Sequence, residues 1–266
     1  MSAALGLVVG LILGLTGAGG AILAVPLLIF ALDWSVARSA PVALIAVAAA
    51  ATLGAVIGLR QRIVRYRAAM VMAASGALLA PGGLFLAHHV PVAPLKLLFA
   101  CVLLAVAWRM YRLAVSSNPV EARSSLRPAP CQIDPATGRF AWTAPCTRAL
   151  VIAGSLTGLL SGMLGVGGGF VVVPALQRAT ALPMNAIVAT SLTVVALVST
   201  FTVAMSAVAG HLEIEVAIPF AAGALVGMTV GRTIAPRVAG SGLQRGFAVL
   251  CAVVALGLIV KTIRGM

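Results

Sequence analysis

Acidic side chains are scarce in this chain of 266 residues: there are five, Asp33, Glu121, Asp134, Glu213 and Glu215, and none falls in the middle of an apolar run. Without them, a buried cation has no carboxylate ligands and an intramembrane protease has no aspartate pair. Histidine is equally sparse. His88, His89 and His211 all lie near the ends of apolar runs, so neither a carboxylate nor a histidine stands mid-run to take up or release a buried proton. The four cysteines, Cys101, Cys131, Cys146 and Cys251, form no Cys-x-x-Cys pair. They are expected to be free thiols, with a disulfide or metal pair between Cys131 and Cys146 as the alternative.

Apolar residues take the place of charge. Hydrophobic residues make up 62% and charged residues 9%, and the mean hydropathy is +1.15. A soluble domain of this length has too little interior to hide so much apolar surface, so lipid is the solvent and the chain is an all-α polytopic integral membrane protein. A net charge of +13 would suggest nucleic acid in a soluble protein. Here the arginines lie between apolar segments, where they set topology, and the expected partners are the bilayer and a small solute, with no nucleic acid and no cofactor. No basic residue precedes the first apolar run, which reads as mature structure and not a cleaved leader.

Glycine is the organising feature. Residues Gly14 to Leu28 read GLTGAGGAILAVPLL and residues Gly162 to Leu176 read GMLGVGGGFVVVPAL, aligned at a constant offset of 148. Each glycine weakens a helix by about 1 kcal/mol relative to alanine. Unwound backbone in hydrocarbon is tolerated only against protein or a water-filled cavity. The order Gly-x-x-Gly-x-Gly-Gly followed by Val-Pro is more than composition supplies, so the chain reads as two homologous halves, 1–113 and 148–266, joined by a polar linker, 114–147.

The first apolar stretch, Ala3 to Leu32, would be about 45 Å long as one helix against a hydrocarbon core of about 30 Å. It is too long for one span and too short for two, so it is expected to be a broken helix or a re-entrant hairpin. Clean spans follow at Ala40–Leu59, at Ala68–Ala87 with an interruption at Pro81-Gly82-Gly83, and at Pro91–Trp108. The second half has the glycine stretch Ala149–Gln177, then Asn185–Gly210, Ala217–Gly231 and Gly246–Val260. Asn185–Gly210 carries an unusual polar series that includes Thr190, Ser191, Ser199, Thr202 and Ser206.

Charge arbitrates between crossing and re-entry. If both glycine stretches cross, the loop Arg60–Arg67 shares its side with 12 basic residues against 6 opposite. If both dip in and return, the count becomes 14 against 4 and the halves are inverted, each with three full spans. The second arrangement fits the positive-inside rule better.

The paired motif, the four-segment halves and the length resemble the sulfite exporter TauE/SafE family of bacterial membrane permeases. The matching residues are GLTGAGGAILAVP, GMLGVGGGFVVVP and Ala189-Thr190-Ser191-Leu192; the first half has Val42-Ala43-Leu44 at the equivalent place and lacks the Thr-Ser pair. The resemblance implies an inner-membrane permease for sulfite, a sulfonate or a related sulfur-containing acid.

Physical chemistry agrees with an anion. The helix restarting after each break presents backbone N–H groups and about half a positive charge, and glycine lets the ligand approach them. Candidate substrate-binding residues are therefore Thr16, Gly17, Gly19, Gly20, Gly165, Gly167, Gly168 and Gly169, with Thr190 and Ser191 adding hydroxyls. Export from a cell that is negative inside gains about 2.3 kcal/mol per charge per 100 mV, so no coupled proton is required. The alternatives are an anion channel and an assembly protein that uses glycine only for helix packing. Catalysis is disfavoured: Ser161 has no histidine to serve as base, and Gly165–Gly169 lacks the Lys-Ser/Thr of a P-loop.

Overall fold

The computed structural model describes residues 2–32, 34–115, 130–131, 142–208, 214–238 and 241–264. Among them are ten α-helices: α1 (Ser2–Thr16), α2 (Ala24–Leu32), α3 (Val36–Arg60), α4 (Tyr66–His89), α5 (Val92–Val115), α6 (Ala144–Leu164), α7 (Gly169–Ala179), α8 (Met184–Val208), α9 (Ile214–Val238) and α10 (Ser241–Arg264). A 3-10 segment, Gly17–Leu23, separates α1 from α2. Seven helices are long and apolar enough to cross a bilayer. Exposed side chains such as Leu78, Phe85, Val249 and Leu256 face outward, as a lipid-facing surface requires. The polytopic helical class expected from composition is the class observed. Most of the linker, with Phe140, Asp33 and the His211–Glu213 region, lies outside the described residues.

Local signals set several helix ends. Ser35 starts α3, its hydroxyl accepting from Arg38 N at 3.4 Å. Thr143 starts α6 in the same way, accepting from Cys146 N at 3.4 Å, and Pro145 in the first turn forgoes an N–H that would have had no helical partner. Pro81 does not interrupt α4, contrary to expectation; Pro41 and Pro174 likewise lie inside α3 and α7. A membrane helix packed on neighbours tolerates the lost bond. The helices also outrun the apolar segments, because the rods continue into the interface beyond the hydrocarbon.

Glycine rows bring two helix pairs into backbone contact. Gly6, Gly10 and Gly14 of α1 press on Phe220, Ala224 and Met228 of α9, while Gly223, Gly227 and Gly231 of α9 press on Ala3, Leu7 and Leu11. Residue numbers rise together, so the helices are parallel. Gly154, Gly158 and Gly162 of α6 meet Met72, Gly76 and Ala80 of α4, again in parallel. With no hydrophobic driving force between helices in lipid, such close approach is a main source of packing energy. The central pair, α3 and α8, is antiparallel: Gly58 abuts Ala189 and Gly54 abuts Leu192. Both helices have 25 residues.

The second glycine stretch re-enters. Cys131 is disulfide-bonded to Cys146 near the start of α6, with Cα atoms 4.7 Å apart, and its N–H donates to Ala179 O at the end of α7 at 2.9 Å. Both limbs thus open on the face that carries Arg60–Arg67, the arginine face, and the tip points to the opposite face. In the first half a Cβ on Gly20 would lie 2.6 Å from Leu13 N, so the chain doubles back there too. The end of α2 reaches the late turns of α10, where Lys261 Nζ donates to Ile29 O at 3.5 Å. The first hairpin therefore opens on the opposite face, and the three following helices run in opposite senses in the two halves.

The disulfide corrects the expectation of four free thiols; Cys101 and Cys251 are the free ones. Spacing alone does not disclose it, because the two thiols meet only with Cys131 set beside the end of α7. Thiol counting on denatured, unreduced purified protein is expected to find two reactive groups, and four after dithiothreitol. Reduction should cost about 3 kcal/mol for a closed loop of 15 residues, read as a lower melting temperature.

Candidate functional site

The turn between α6 and α7 is the most constrained backbone described. Gly165, Gly167 and Gly168 have φ of +69°, +70° and +67°, a region that costs an L residue about 1–2 kcal/mol. Every residue from Ser161 to Phe170 is buried. The turn's described backbone bonds lie at its ends, Gly165 N to Ser161 O at 2.9 Å and Val171 N to Gly168 O at 3.0 Å. None is made by the N–H of Gly167 or Gly168. Gly168 forms the N-cap of α7 without a side-chain cap, so the positive end of that helix faces the turn.

Gly167 lies at membrane mid-depth. A Cβ there would meet Val47 Cγ1 at 2.9 Å and Val195 Cγ1 at 3.1 Å, residues near the middles of α3 and α8, and Ser199 Oγ at 2.7 Å. Ser199 is 0% exposed, and its hydroxyl has no hydrogen-bond partner among the described residues; Ser161 Oγ, one turn before Gly165, is in the same condition. A buried hydroxyl without a partner costs about 1–3 kcal/mol. Such hydroxyls call for an explanation, and each can donate to an acceptor oxygen. Ser206, two turns beyond Ser199 on α8, is a third such hydroxyl.

The other expected residues are distributed differently. Gly17 has φ +73°, and a Cβ on it would lie 2.7 Å from Val188 Cγ1. Gly19 has nothing nearer its missing Cβ than Thr16 Oγ1 at 4.0 Å, and Thr16 donates to Ile12 O at 2.7 Å. Ser191 Oγ donates to Val188 O at 2.8 Å, and Thr190 Oγ1 accepts from Arg65 N at 3.1 Å, holding the chain that leads into α4. Thr190 and Ser191 thus stand nearer the first turn than the second, and their hydroxyls already have partners. Gly169 is the first residue of α7.

From the sequence, Ser199 is named only within a polar series and Ser161 only as a serine without a base. A signal existed: at the repeat offset their counterparts are Ala51 and Leu13, so these hydroxyls are peculiar to the second half. Among the described residues no group of histidines, cysteines and acids could hold a metal.

A profile described as Sulfite exporter TauE/SafE matches residues 2–258. Two proteins named "Probable membrane transporter protein", from two strains of Xylella fastidiosa, are similar along almost their full length. One is 29% identical over 255 residues, covering 94% of this chain and 91% of that protein. The other is 28% identical over 254 residues, with the same shares. No solved structure matches the chain. With its seven membrane-length helices and a family match over nearly its whole length, this multi-pass membrane transporter belongs to the sulfite exporter TauE/SafE family.

Proposed function

We propose that the protein is an inner-membrane permease that exports a small sulfur-containing oxyanion, sulfite or an organic sulfonate, and holds it at the second glycine turn. The observation that carries this reading is the hydroxyl of Ser199, without a partner among the described residues and set at mid-depth against Gly167, two residues before the start of α7. An oxyanion there accepts from the hydroxyl and the turn amides together, and charge-assisted bonds of this kind are the strong ones. Glycine rows on α1, α6 and α9 are accounted for by packing. Gly167 differs from them: its left-handed backbone belongs to a turn, and that turn is set against Ser199 in the middle of α8.

Ser199→Ala tests the assignment with opposite signs for stability and transport. Removing an unpartnered buried hydroxyl should leave the melting temperature unchanged or higher. Saturable sulfite, sulfoacetate or thiosulfate flux in proteoliposomes should show a KM raised by about tenfold, one lost hydrogen bond to a charged group. Flux with an unaltered KM would remove Ser199 from the site. Flux should also follow a clamped membrane potential and persist when the pH gradient is collapsed.

A further inference from the structure

Arg232 lies within the span Glu215–Ala235 of α9 and is partly buried, its side chain reaching across to α3. Nη1 donates to the carbonyl of Gly54 on α3 at 3.1 Å. Both residues stand six positions before the ends of their helices on the arginine face, Val238 and Arg60. The side chain therefore reaches sideways between helices at constant depth, whereas a snorkelling arginine runs along its own helix toward the headgroups. Its remaining guanidinium donors have no acceptor among the described residues. Glu215, the one acid described, sits at the far end of the same helix. A cation held within a span without a counter-charge is costly, and such residues mark solute pathways.

The surroundings connect it to the first glycine turn. A Cβ on Gly14 would lie 2.9 Å from Arg232 N, and one on Gly54 would lie 2.8 Å from Leu192 Cδ1. Leu192 is one helical turn along α8 from Val188, which Gly17 abuts. The guanidinium thus flanks the tip of the first hairpin, between the arginine face and the deeper turn at Gly167. At the repeat offset the first half has Leu84, so the opposite mouth offers no matching cation at that place.

We propose that Arg232 is the anion-selecting residue of the arginine-face mouth, holding the oxyanion group of the solute before it reaches the turn at Ser199. The proposal rests on the permease reading above. A guanidinium fork matches two oxygens of one sulfite or sulfonate group, which an ammonium does not.

The test uses the full-length protein in proteoliposomes with sulfite as probe, comparing wild type, Arg232→Gln and Arg232→Lys. Arg232→Gln is expected to raise the KM roughly ten- to hundredfold with a smaller change in maximal rate, and to flatten the dependence of KM on ionic strength. Arg232→Lys should keep that dependence with an intermediate KM. A folded Arg232→Gln protein with the wild-type KM and salt response overturns the proposal and leaves the permease reading standing. Wild type that neither transports sulfite, sulfoacetate or thiosulfate nor is thermally stabilised by them overturns both. Should Arg232→Gln fail to fold, sulfite-induced thermal shifts of Arg232→Lys decide: affinity at least about threefold weaker supports the fork, and unchanged affinity overturns it.

Discussion

Replacing Gly158 by leucine is expected to leave no folded protein. A Cβ at this position would run into the backbone of Gly76, meeting its carbonyl oxygen, carbonyl carbon and Cα together. Backbone cannot rotate aside as a side chain can, so α4 and α6 would have to separate. That separation loses the contacts of the whole Gly154, Gly158 and Gly162 row, at a cost of about 3 kcal/mol or more. The result should be visible as aggregation on size-exclusion chromatography and loss of a cooperative melting transition. Gly82→Leu is the control, because nothing lies within 4 Å of a Cβ there and its direction is open to lipid. A monodisperse Gly158→Leu protein with wild-type stability would show that the helix pair is held by something other than close approach.

The second large effect is on transport, in a protein that is destabilised but still folds. Gly167→Ala forces an L residue to φ +70°, at a cost of about 1–2 kcal/mol. Its methyl group stands where the ligand would meet Ser199 Oγ, 2.7 Å away. The same methyl crowds Val47 Cγ1 at 2.9 Å and Val195 Cγ1 at 3.1 Å, adding about 1–3 kcal/mol, so melting should drop by roughly 5–20 °C, while sulfite flux per folded protein is expected to fall more than about tenfold. Gly19→Ala, with open space around its Cβ, should remain within about twofold of wild type. Equal losses in both variants would mean that the two turns bind together; no loss in Gly167→Ala would return this glycine to a purely conformational role.

The membrane class was legible because no arrangement of 266 residues in water accommodates the composition. The glycine breaks were legible as well, and the distribution of arginines selected re-entry over crossing, which agrees with Cys131 joining the two limbs of the second hairpin. Other features depended on which residues meet in space. Sequence reasoning chose Thr190 and Ser191 because they adjoin one another in a motif, but Ser191 bonds back to its own helix and Thr190 serves the start of α4. Ser199, eight residues further on, carries no local signature; only the fold sets it against Gly167. Glycine itself proved to have two uses. In Gly6, Gly10 and Gly14 it clears a path for another helix, and in Gly165, Gly167 and Gly168 it permits a backbone that other residues resist. A letter pattern gives both the same symbol.

The position of Cys131 bears on how the second hairpin can move. Bonded covalently to one limb and through its N–H to the other, it ties the limbs together at their open end. Scissoring would have to break that hydrogen bond, so α6, the turn and α7 are expected to move as one lever. Any displacement of the turn at Gly167 is then a tilt of the whole lever against α3 and α8, and reducing the bond would turn that rigid arm into two jointed ones.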